Sequence, residues 1–310
     1  MPEPAPILLF CYNRPEHLRQ TVASLRQNPL AAQSRLYVFS DGPKNGKAAV
    51  LVAEVRAFLP TIEGFAEVIL DESSENRGLA ASVIRGVTQV LQKHGKAIVL
   101  EDDLEVARDY LDFMNAALDT YAPRSDVFSV GGYLPPIAIP ADYPDEVVLL
   151  PRASSWGWGT WLDRWQRADW RMDYYDELVQ NPEARRQFTR GGDDLWPMLQ
   201  KQRRGLISSW AVRWSFAHTQ HHAYCLHPIR AKVRSTGADG SGTHVRNTRR
   251  YDVELYEKPI HLNPDVQPDA RLERKLRAYF SLSFYRKIVN FFKFTLPERL
   301  GNRPPDRLSP

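Results

Sequence analysis

Three consecutive carboxylates, Glu101, Asp102 and Asp103, follow the apolar run 97–100 in the segment AIVLEDDLEV. An apolar run of this kind is typical of a buried strand, and three adjacent negative charges at its end are costly without a positive partner. A hard divalent cation such as Mg²⁺ or Mn²⁺ prefers oxygen ligands and completes its shell with water or substrate phosphates. The triplet therefore indicates a metal ion that carries a diphosphate. The alternative is that these acids begin a helix, since carboxylates favour helix N-termini.

Polar segments follow the first four apolar runs, where strands of a sheet would end. Branched and aromatic residues predict strands at 6–10, 35–41, 67–70, 97–102 and 127–133. Helix-period segments predict helices at 15–26, 47–58, 78–94 and 107–120. This alternation is typical of βαβ units with a mostly parallel sheet, which binds ligands beyond the carboxyl ends of its strands. The loops CYNRPE, SDGPKNGK, DESSENRG and EDDLE therefore predict one shared binding site.

The composition is that of an ordinary globular protein. Of the 310 residues, 43% are hydrophobic and 25% are charged, which allows one large domain or two modest ones. An anionic small ligand explains the net charge of +4 as well as nucleic acid does, and we expect no nucleic-acid partner. We expect a cytoplasmic protein, because the sequence has only two cysteines, no signal-peptide pattern and no apolar stretch of about 18 residues.

The segment AIVLEDDLEVARDYLDFMNAAL resembles the acidic metal-binding segment of N-acetylglucosaminyltransferase I and its relatives, in which a Glu-Asp-Asp triplet ends a central strand of a GT-A fold. RSDVFSVGGY is similar to the strand that follows, PRASSWGWGTW to the Gly-Trp acceptor-side segment, and STGADGSGTH to the histidine-bearing loop. The chain also resembles bacterial family-2-like glycosyltransferases that begin with a YNRP loop. The likeness covers roughly residues 5–250. It implies an α/β GT-A fold, with a Rossmann-like, mostly parallel sheet flanked by helices. Beyond this region we expect a helical C-terminal tail.

The resemblance divides the acidic triplet by role. It implies that Asp103 coordinates Mn²⁺ or Mg²⁺, that Asp102 lies near the donor ribose or sugar, and that Glu101 lies near the nucleotide. His244 lies in a segment with glycines at 237, 240 and 242, which predicts a mobile loop that closes over substrate. A lone loop histidine is usually a bystander, but the resemblance favours His244 as a second metal ligand or a donor to the diphosphate.

The YNRP and SDGP loops supply the predicted contacts to the donor. The resemblance places Tyr12, Asn13 and Arg14 on the phosphate side and Asp41 at the base. An aspartate can accept from a uracil N–H and an arginine can pair with phosphate through two hydrogen bonds, so these roles are chemically reasonable. The proline that follows Arg14 also suits the first turn of a helix, which is compatible with either interpretation.

The loop ENRG precedes a predicted helix. Its glycine, Gly78, would let a helix N-terminus approach phosphate or sugar closely, although helix capping explains the same residues equally well. In GT-A enzymes the corresponding loop lines the donor pocket. The resemblance therefore adds Asn76 and Arg77 to the predicted donor site.

The predicted catalytic base lies in GGDDLWPML. Displacement at an anomeric carbon with inversion needs a carboxylate that removes the proton of the acceptor hydroxyl. The segment resembles the Asp-Asp-Trp segment of the family, which implies Asp194 as the base and Asp193 as the second choice. This chain has a leucine before the tryptophan and carries Ser208 where relatives often have an acid, and both aspartates are also ordinary candidates for helix N-caps.

Five tryptophans are concentrated between residues 156 and 170, and most of them are expected to pack in the core. Indole rings also suit the apolar faces of sugars. The glycines beside Trp156 and Trp158 leave room around both rings, so these two are predicted to line the acceptor site.

The C-terminal segment RLERKLRAYFSLSFYRKIVNFFKF mixes basic and aromatic residues. It can pack on the domain, or it can lie on an anionic membrane as an amphipathic helix, which would make the protein peripheral to the inner face of the cell membrane. We expect a GT-A domain over 1–260, with a nucleotide-binding half (1–135) and an acceptor-binding half (136–260). The basic aromatic extension would cover 261–310.

These features predict a metal-dependent glycosyltransferase that moves a sugar, with inversion, from a UDP-linked donor to a glycan or lipid-linked acceptor, as in bacterial polysaccharide or lipopolysaccharide synthesis. A sugar-phosphate nucleotidyltransferase is the nearest rival, but it would carry a glycine-rich phosphate loop after the first strand, where this chain has FCYNRPEHL. A non-catalytic glycan-binding module with a structural cation would leave the YNRP and SDGP loops unexplained. The sequence indicates no oligomeric state.

Overall fold

The computed structural model describes residues 3–239 and 248–299. It contains one large sheet and one small sheet. The strands are β1 (Ile7–Cys11), β2 (Arg35–Ser40), β3 (Glu67–Glu72), β4 (Lys96–Glu101), β5 (Leu104–Val106), β6 (Val127–Gly131), β7 (Val147–Leu150), β8 (Trp158–Trp161), β9 (Tyr224–Pro228) and β10 (Val233–Ser235).

The large sheet has the strand order β3-β2-β1-β4-β8-β6-β9-β7. Neighbouring strands from β3 to β4 pair in parallel, as do β6 and β9. Strand β8 is antiparallel to both of its neighbours, and β7 is antiparallel to β9. Apart from β7 and β8, all strands of this sheet run in one direction, so the predicted α/β fold with a mostly parallel sheet is confirmed.

Helices cover both faces of the large sheet. They are α1 (Pro15–Arg26), α2 (Gly46–Phe58), α3 (Leu79–His94), α4 (Tyr110–Thr120), α5 (Leu162–Trp165), α6 (Tyr175–Gln180), α7 (Pro182–Phe188), α8 (Leu195–Arg203), α9 (Trp210–Gln220), α10 (Ala270–Tyr279), α11 (Phe284–Asn290) and α12 (Leu296–Arg299). A π-helical turn, Phe291–Thr295, joins α11 to α12.

Alternate residues of the central strands enter two different cores. In β1, Ile7 and Leu9 pack with residues of α1 and α4, whereas Leu8 and Phe10 pack with residues of α3 and α9. Successive side chains of a strand point to opposite faces, and apolar residues at every position are therefore required when both faces are covered. The short, continuously apolar runs in the first half of the sequence are therefore explained by a sheet that helices cover on both faces.

The small sheet lies directly beside the acidic triplet. Strand β5 begins one residue after Asp103 and pairs antiparallel with β10. This pairing carries the chain that follows β10 back over the end of β4. Residues 235–237 are thereby fixed next to the acids, although more than 130 residues separate them in sequence.

One element differs from its prediction. The segment 209–228 is read from the sequence as a single helix, but α9 ends at Gln220 and residues 224–228 form β9. His222 adopts a left-handed backbone, with φ of 51°, in the turn between them. The apolar residues of β9 pair with β6 and β7, and this sheet contact overrides the helical pattern of the preceding residues.

Within the described residues, the C-terminal extension is helical from Ala270 onward, in α10 and in the run from α11 to α12, whereas residues 261–269 contain no helix. Leu272 and Leu276 of α10 are buried against Leu134, Val148 and Leu150, so this helix packs on the end of the large sheet near β7. The N-terminus of α10 is capped by Asp269, whose carboxylate accepts hydrogen bonds from two main-chain N–H groups. Among the helices of the described residues, none has the length and apolar character needed to cross a membrane.

Candidate active site

A cavity of about 910 Å³ lies beyond the carboxyl ends of β1, β2 and β4. Its volume falls in the range of small-molecule sites. From the first half of the chain it is lined by Tyr12, Asn13, Arg14, Asp41, Lys44, Asn76, Glu101, Asp102 and Asp103. From residue 133 onward its lining includes Tyr133, Arg152, Trp156, Asp194, Lys201, Ser208, Trp210, Tyr251 and Phe280. The four polar loops do converge on one edge of the sheet.

Glu101 and Asp102 are held by hydrogen bonds from the surrounding loops. The main-chain N–H of Tyr12 donates to the Asp102 carboxylate over 3.1 Å, and the Thr21 hydroxyl donates to the Asp102 carbonyl over 2.9 Å. The Trp210 side chain donates a hydrogen bond to Glu101. These contacts fix both carboxylates at the end of β4, on the floor of the cavity.

The crowding of the acids alters their protonation. Burial, together with the neighbouring Asp103 and Asp102 charges, raises the pKa of Glu101 to about 8. Burial and the Asp103 charge raise the pKa of Asp102 to about 7. Both shifts follow from the cost of removing a carboxylate from water and of placing it beside a like charge. A cation at this position would stabilise the ionised forms.

Asp103 is the acid of the triplet that carries a direct cationic partner. Its Oδ2 lies 2.7 Å from Nη1 of Arg14, and about a fifth or less of each side chain is exposed. The main-chain N–H and the hydroxyl of Thr236 donate to the Asp103 carbonyl. Gly237 lies so close that a Cβ at that position would be 2.0 Å from Asp103 Oδ2. Any side chain at position 237 would therefore collide with this carboxylate.

The donor set at Asp103 fits a Mg²⁺ or Mn²⁺ ion that takes most of its ligands from substrate. Within residues 3–239 and 248–299, no three His, Cys, Asp or Glu side chains converge on one point, so the triplet does not form a cage. Such ions are commonly bound by one or two carboxylates plus phosphate oxygens and water. Asp103, a carboxylate that lines the cavity, meets that requirement. The predicted ligand His244 lies outside the described residues.

Asp41 organises the loop that follows β3. Its Oδ1 accepts hydrogen bonds from the N–H groups of Gly42 and Arg77, and its Oδ2 accepts from Gly78 N–H and the Asn76 amide, all between 2.9 and 3.1 Å. Gly78 has a φ of 77°, which favours glycine and turns its N–H toward this carboxylate. The carboxylate that is predicted to contact the nucleotide base therefore also holds the loop 75–78 in place.

The predicted donor residues of the YNRP and ENRG loops separate into two groups. Tyr12, Asn13 and Asn76 line the cavity, and the Tyr12 hydroxyl accepts a hydrogen bond from the Lys44 N–H. Arg77, in the same loop as Asn76, is not among the residues that line the cavity. Its guanidinium instead donates to the hydroxyl of Ser73 over 3.0 Å, because the Asp41 contacts turn the loop that way.

The two candidate bases point in different directions. Asp194 lines the cavity and forms two hydrogen bonds, of 2.8 and 3.0 Å, with the Arg152 guanidinium. The guanidinium carbon lies 3.7 Å from the centre of the Phe280 ring. Asp193, in contrast, binds Arg277 and Lys287 of the C-terminal extension. Asp194 therefore faces the cavity, whereas Asp193 fastens α10 and α11 to the domain.

The prediction that Trp158 lines the acceptor site is wrong. Trp158 is 1% exposed and stacks on Trp165 and Trp210 in the core between the sheet and α9. Trp156, two residues earlier, is partly exposed, lines the cavity and contacts Tyr133 and Tyr251 edge to face. The side chains leave the cavity at residue 158 because β8 begins there and its pairing with β4 and β6 fixes their direction.

Several cavity residues have no counterpart in the sequence-based prediction. They are Lys44, Tyr133, Arg152, Lys201, Trp210, Tyr251 and Phe280. Lys44 could have been found, since it lies in the SDGPKNGK loop beside Asp41. The others come from elements far apart in the chain, and a single sequence carries no signal for their proximity.

No family model matches this chain, and no curated protein matches it. Solved structures with partial similarity include the mannosyltransferase PcManGT from Pyrobaculum calidifontis in complex with GDP-Man and Mn²⁺, at 16% identity and a TM-score of 0.30 over 42% of this chain and 35% of that one. S. aureus TarS is 10% identical, with a TM-score of 0.31 over 48% and 25% of the two chains. Mouse xyloside xylosyltransferase 1 is 13% identical, with a TM-score of 0.39 over 73% and 85%.

The chain thus spans about a third of PcManGT and a quarter of TarS. With overlap at this level, inferences about function depend on the residues of the cavity.

Proposed function

We propose that the protein is a metal-dependent glycosyltransferase of the GT-A type, which transfers a sugar from a nucleoside diphosphate donor to a hydroxyl acceptor. The observation that carries the proposal is the Arg14–Asp103 pair at the carboxyl end of the central strand β4, inside a cavity large enough for a nucleotide-sugar. A carboxylate and a guanidinium side by side supply one ligand for a cation and one partner for a phosphate. The acidic triplet and its resemblance to the GT-A metal segment give the same assignment.

The donor half of the site would be formed by the loops after β1, β2 and β4. Arg14 would pair with the diphosphate, and Tyr12, Asn13 and Asn76 also line the cavity. Asp41 would position these groups through the loop 75–78, and the four hydrogen bonds that its carboxylate accepts leave no lone pair for the base. Glu101 and Asp102 would contact the donor between the base and the sugar.

Mg²⁺ or Mn²⁺ would be held by Asp103 and the donor phosphates, with His244 as the proposed further ligand. When bound, such an ion stabilises the negative charge that develops on the leaving diphosphate. In the ligand-free protein Arg14 neutralises Asp103, and on donor binding its guanidinium becomes a partner of the phosphates.

The acceptor half would be formed by Trp156, Tyr133 and Tyr251 with Asp194 and Arg152. The acceptor hydroxyl would lose its proton to Asp194 as its oxygen bonds to the anomeric carbon. The bond from that carbon to the diphosphate oxygen breaks, its electron pair leaves with the diphosphate, and the configuration inverts. A carboxylate has about four lone-pair positions, so the two bonds to Arg152 leave capacity for this proton.

A screen of nucleotide-sugars tests the proposal through release of the nucleoside diphosphate with Mn²⁺ present. Turnover is expected for at least one UDP-linked sugar and should fall at least about 100-fold in Asp103→Ala. Asp119→Asn is the matched control, because Asp119 pairs with Lys96 on the surface, and it should keep full activity. Pyrophosphate release from a nucleoside triphosphate and a sugar phosphate would indicate a nucleotidyltransferase instead. The absence of any nucleotide binding would indicate a glycan-binding module.

A further inference from the structure

The C-terminal helical run presents an apolar face to solvent. Four apolar side chains of this run are exposed: Phe284 (79%), Tyr285 (74%), Ile288 (40%) and Phe292 (61%). Three of them are large aromatic side chains, and such exposure is exceptional in this protein. Their spacing of i, i+1, i+4 and i+8 places them along one side of the continuous helical run that begins at α11. In a globular protein such an apolar stripe ordinarily faces the core. Its exposure to solvent therefore indicates that this face binds a partner.

The opposite side of the same run is firmly attached to the domain. Phe294 is 3% exposed, and its carbonyl accepts a hydrogen bond from Arg204. Glu298 accepts hydrogen bonds from Arg204, Gln200 and the Tyr175 hydroxyl, over 2.8 to 3.1 Å. The outward direction of the aromatic stripe is therefore set by specific buried contacts and does not result from a loosely packed end.

Positive charge borders the apolar stripe. Arg286 and Lys293 are exposed and seven residues apart, which places them together along one edge of the helix. The sequence has no acidic residue between positions 281 and 297. Aromatic side chains beside basic ones, with no acid among them, match the interface of an anionic lipid bilayer, where rings enter the headgroup boundary and cations contact lipid phosphates.

We propose that this face is a docking surface for an anionic membrane, with the helical run 284–299 lying in the plane of the lipid headgroups. The occupant is a lipid surface because both the apolar stripe and its basic edge are accounted for by one planar partner. Binding would be peripheral and reversible, since one short amphipathic face buries little apolar area.

The docking surface is coupled to the cavity. Lys287 of α11 and Arg277 of α10 both bind Asp193, the residue before the cavity residue Asp194. Leu276 and Phe280, at the end of α10, line the cavity itself. A bilayer on this face would hold the acceptor side of the cavity close to the membrane. Under the proposed function, this position would suit an acceptor that is itself held in the membrane.

Sedimentation with extruded vesicles tests the docking surface without any donor or acceptor, so its failure is separate from failure of the proposed function. The full chain should bind phosphatidylcholine vesicles containing a quarter phosphatidylglycerol at least about tenfold more tightly than pure phosphatidylcholine vesicles. High salt should weaken this binding strongly. The variant Phe284→Ser/Tyr285→Ser/Phe292→Ser should lose at least about tenfold in partitioning, and Arg286→Gln/Lys293→Gln should lose about fivefold per charge.

The matched control is Val50→Ser/Tyr174→Ser/Leu206→Ser, which removes three side chains that are 71%, 57% and 60% exposed elsewhere on the surface. It should bind vesicles like the unaltered protein, and circular dichroism should report the same helical content for all variants. Three results would overturn the proposal: no preference for anionic vesicles, an equal loss in the control, or aromatic substitutions that convert a dimer to a monomer without altering vesicle binding. The last result would assign the face to a second copy of the chain.

Discussion

The carboxylate of Asp103 and the guanidinium of Arg14 lie 2.7 Å apart, although 89 residues separate them in sequence. One ends the acidic loop after β4 and the other ends the polar loop after β1, and the parallel pairing of these two strands brings the loops together. Gly237 covers the pair from the strand β10 side, with no space for a side chain. The candidate metal and phosphate positions are thus assembled by sheet topology from three distant segments.

Gly237→Ala should weaken the site without unfolding the protein. The new methyl group would lie 2.0 Å from Asp103 Oδ2, so either the loop after β10 or the carboxylate must move. We expect Mn²⁺-dependent UDP affinity, measured by calorimetry, to fall at least about tenfold. Gly46→Ala is the matched control, since a methyl group at position 46 meets nothing within 4 Å, and it should leave UDP affinity unchanged. Equal affinities in both variants would contradict the close contact.

Asp41→Ala should loosen the loop 75–78. The substitution removes the acceptor of four hydrogen bonds and leaves three main-chain N–H groups without it. We expect the free energy of unfolding to fall by about 2 to 3 kcal/mol, and amide exchange at residues 77 and 78 to accelerate. Asp71→Ala, which removes a partly exposed partner of Arg85, should change stability by less than about 1 kcal/mol. Unchanged exchange at residues 77 and 78 would show that Asp41 does not hold the loop.

Asp194→Asn should separate catalysis from donor binding. The amide retains the size of the side chain and one hydrogen bond to Arg152 but cannot accept the acceptor proton, so turnover should fall about 100- to 10,000-fold. UDP affinity should stay within about twofold, because the substitution alters the acceptor half of the site.

Asp193→Asn is the control for this prediction. It weakens contacts to Arg277 and Lys287 outside the cavity, and it should lower thermal stability while reducing turnover by less than about tenfold. A larger loss of turnover in Asp193→Asn than in Asp194→Asn would reverse the assignment of the base.

His218 should make stability depend on pH. Its ring is buried, donates from Nδ1 to the Trp214 carbonyl and accepts at Nε2 from the Ser129 hydroxyl, which requires the neutral form. Burial lowers its pKa to about 3. Because the unfolded ring has a pKa near 6.5, the unfolded chain takes up the proton first as pH falls, and stability is lost from about pH 6.5 downward.

The His218→Asn variant tests this dependence by urea unfolding at pH 7.5 and pH 5.0. It should be less stable than the unaltered protein at pH 7.5 by about 1 to 3 kcal/mol. That difference should shrink by about 2 kcal/mol at pH 5.0, since only the unaltered protein is weakened by protonation of this ring. His261→Asn, which alters an exposed ring, should show the same small difference at both pH values. A His218→Asn difference that is independent of pH would mean that the ring does not stay neutral.

The first half of the fold could be predicted from sequence because each strand there is a short apolar run and each helix keeps its own period. The predicted helix 15–26 has the observed bounds of α1. The expectation that ligands bind beyond the carboxyl ends of parallel strands correctly predicted that the YNRP, SDGP and EDD loops line the cavity. Arg77 is the exception among these loops, because its side chain follows a local hydrogen bond that the rule does not describe.

The second half of the fold could not be predicted as well, because tertiary contacts determine which of two similar residues lines the cavity. Trp156 and Trp158 have the same local sequence environment, yet the start of β8 sends one to the cavity and the other to the core. Asp193 and Asp194 are neighbours, and only the packing of α10 and α11 assigns Asp193 to the extension. Arg152 and Phe280, which flank Asp194, lie 128 residues apart, so no local pattern links them.

The most direct test is the affinity for UDP with and without Mn²⁺, measured by isothermal titration calorimetry on the unaltered chain, on Asp103→Asn and on the surface control Asp119→Asn. Mn²⁺ should increase UDP affinity at least about tenfold in the unaltered chain and in Asp119→Asn. In Asp103→Asn the ratio of the two affinities should approach one. An equal ratio in all three proteins, or a ratio near one in the unaltered chain, would contradict a metal–diphosphate site at Asp103.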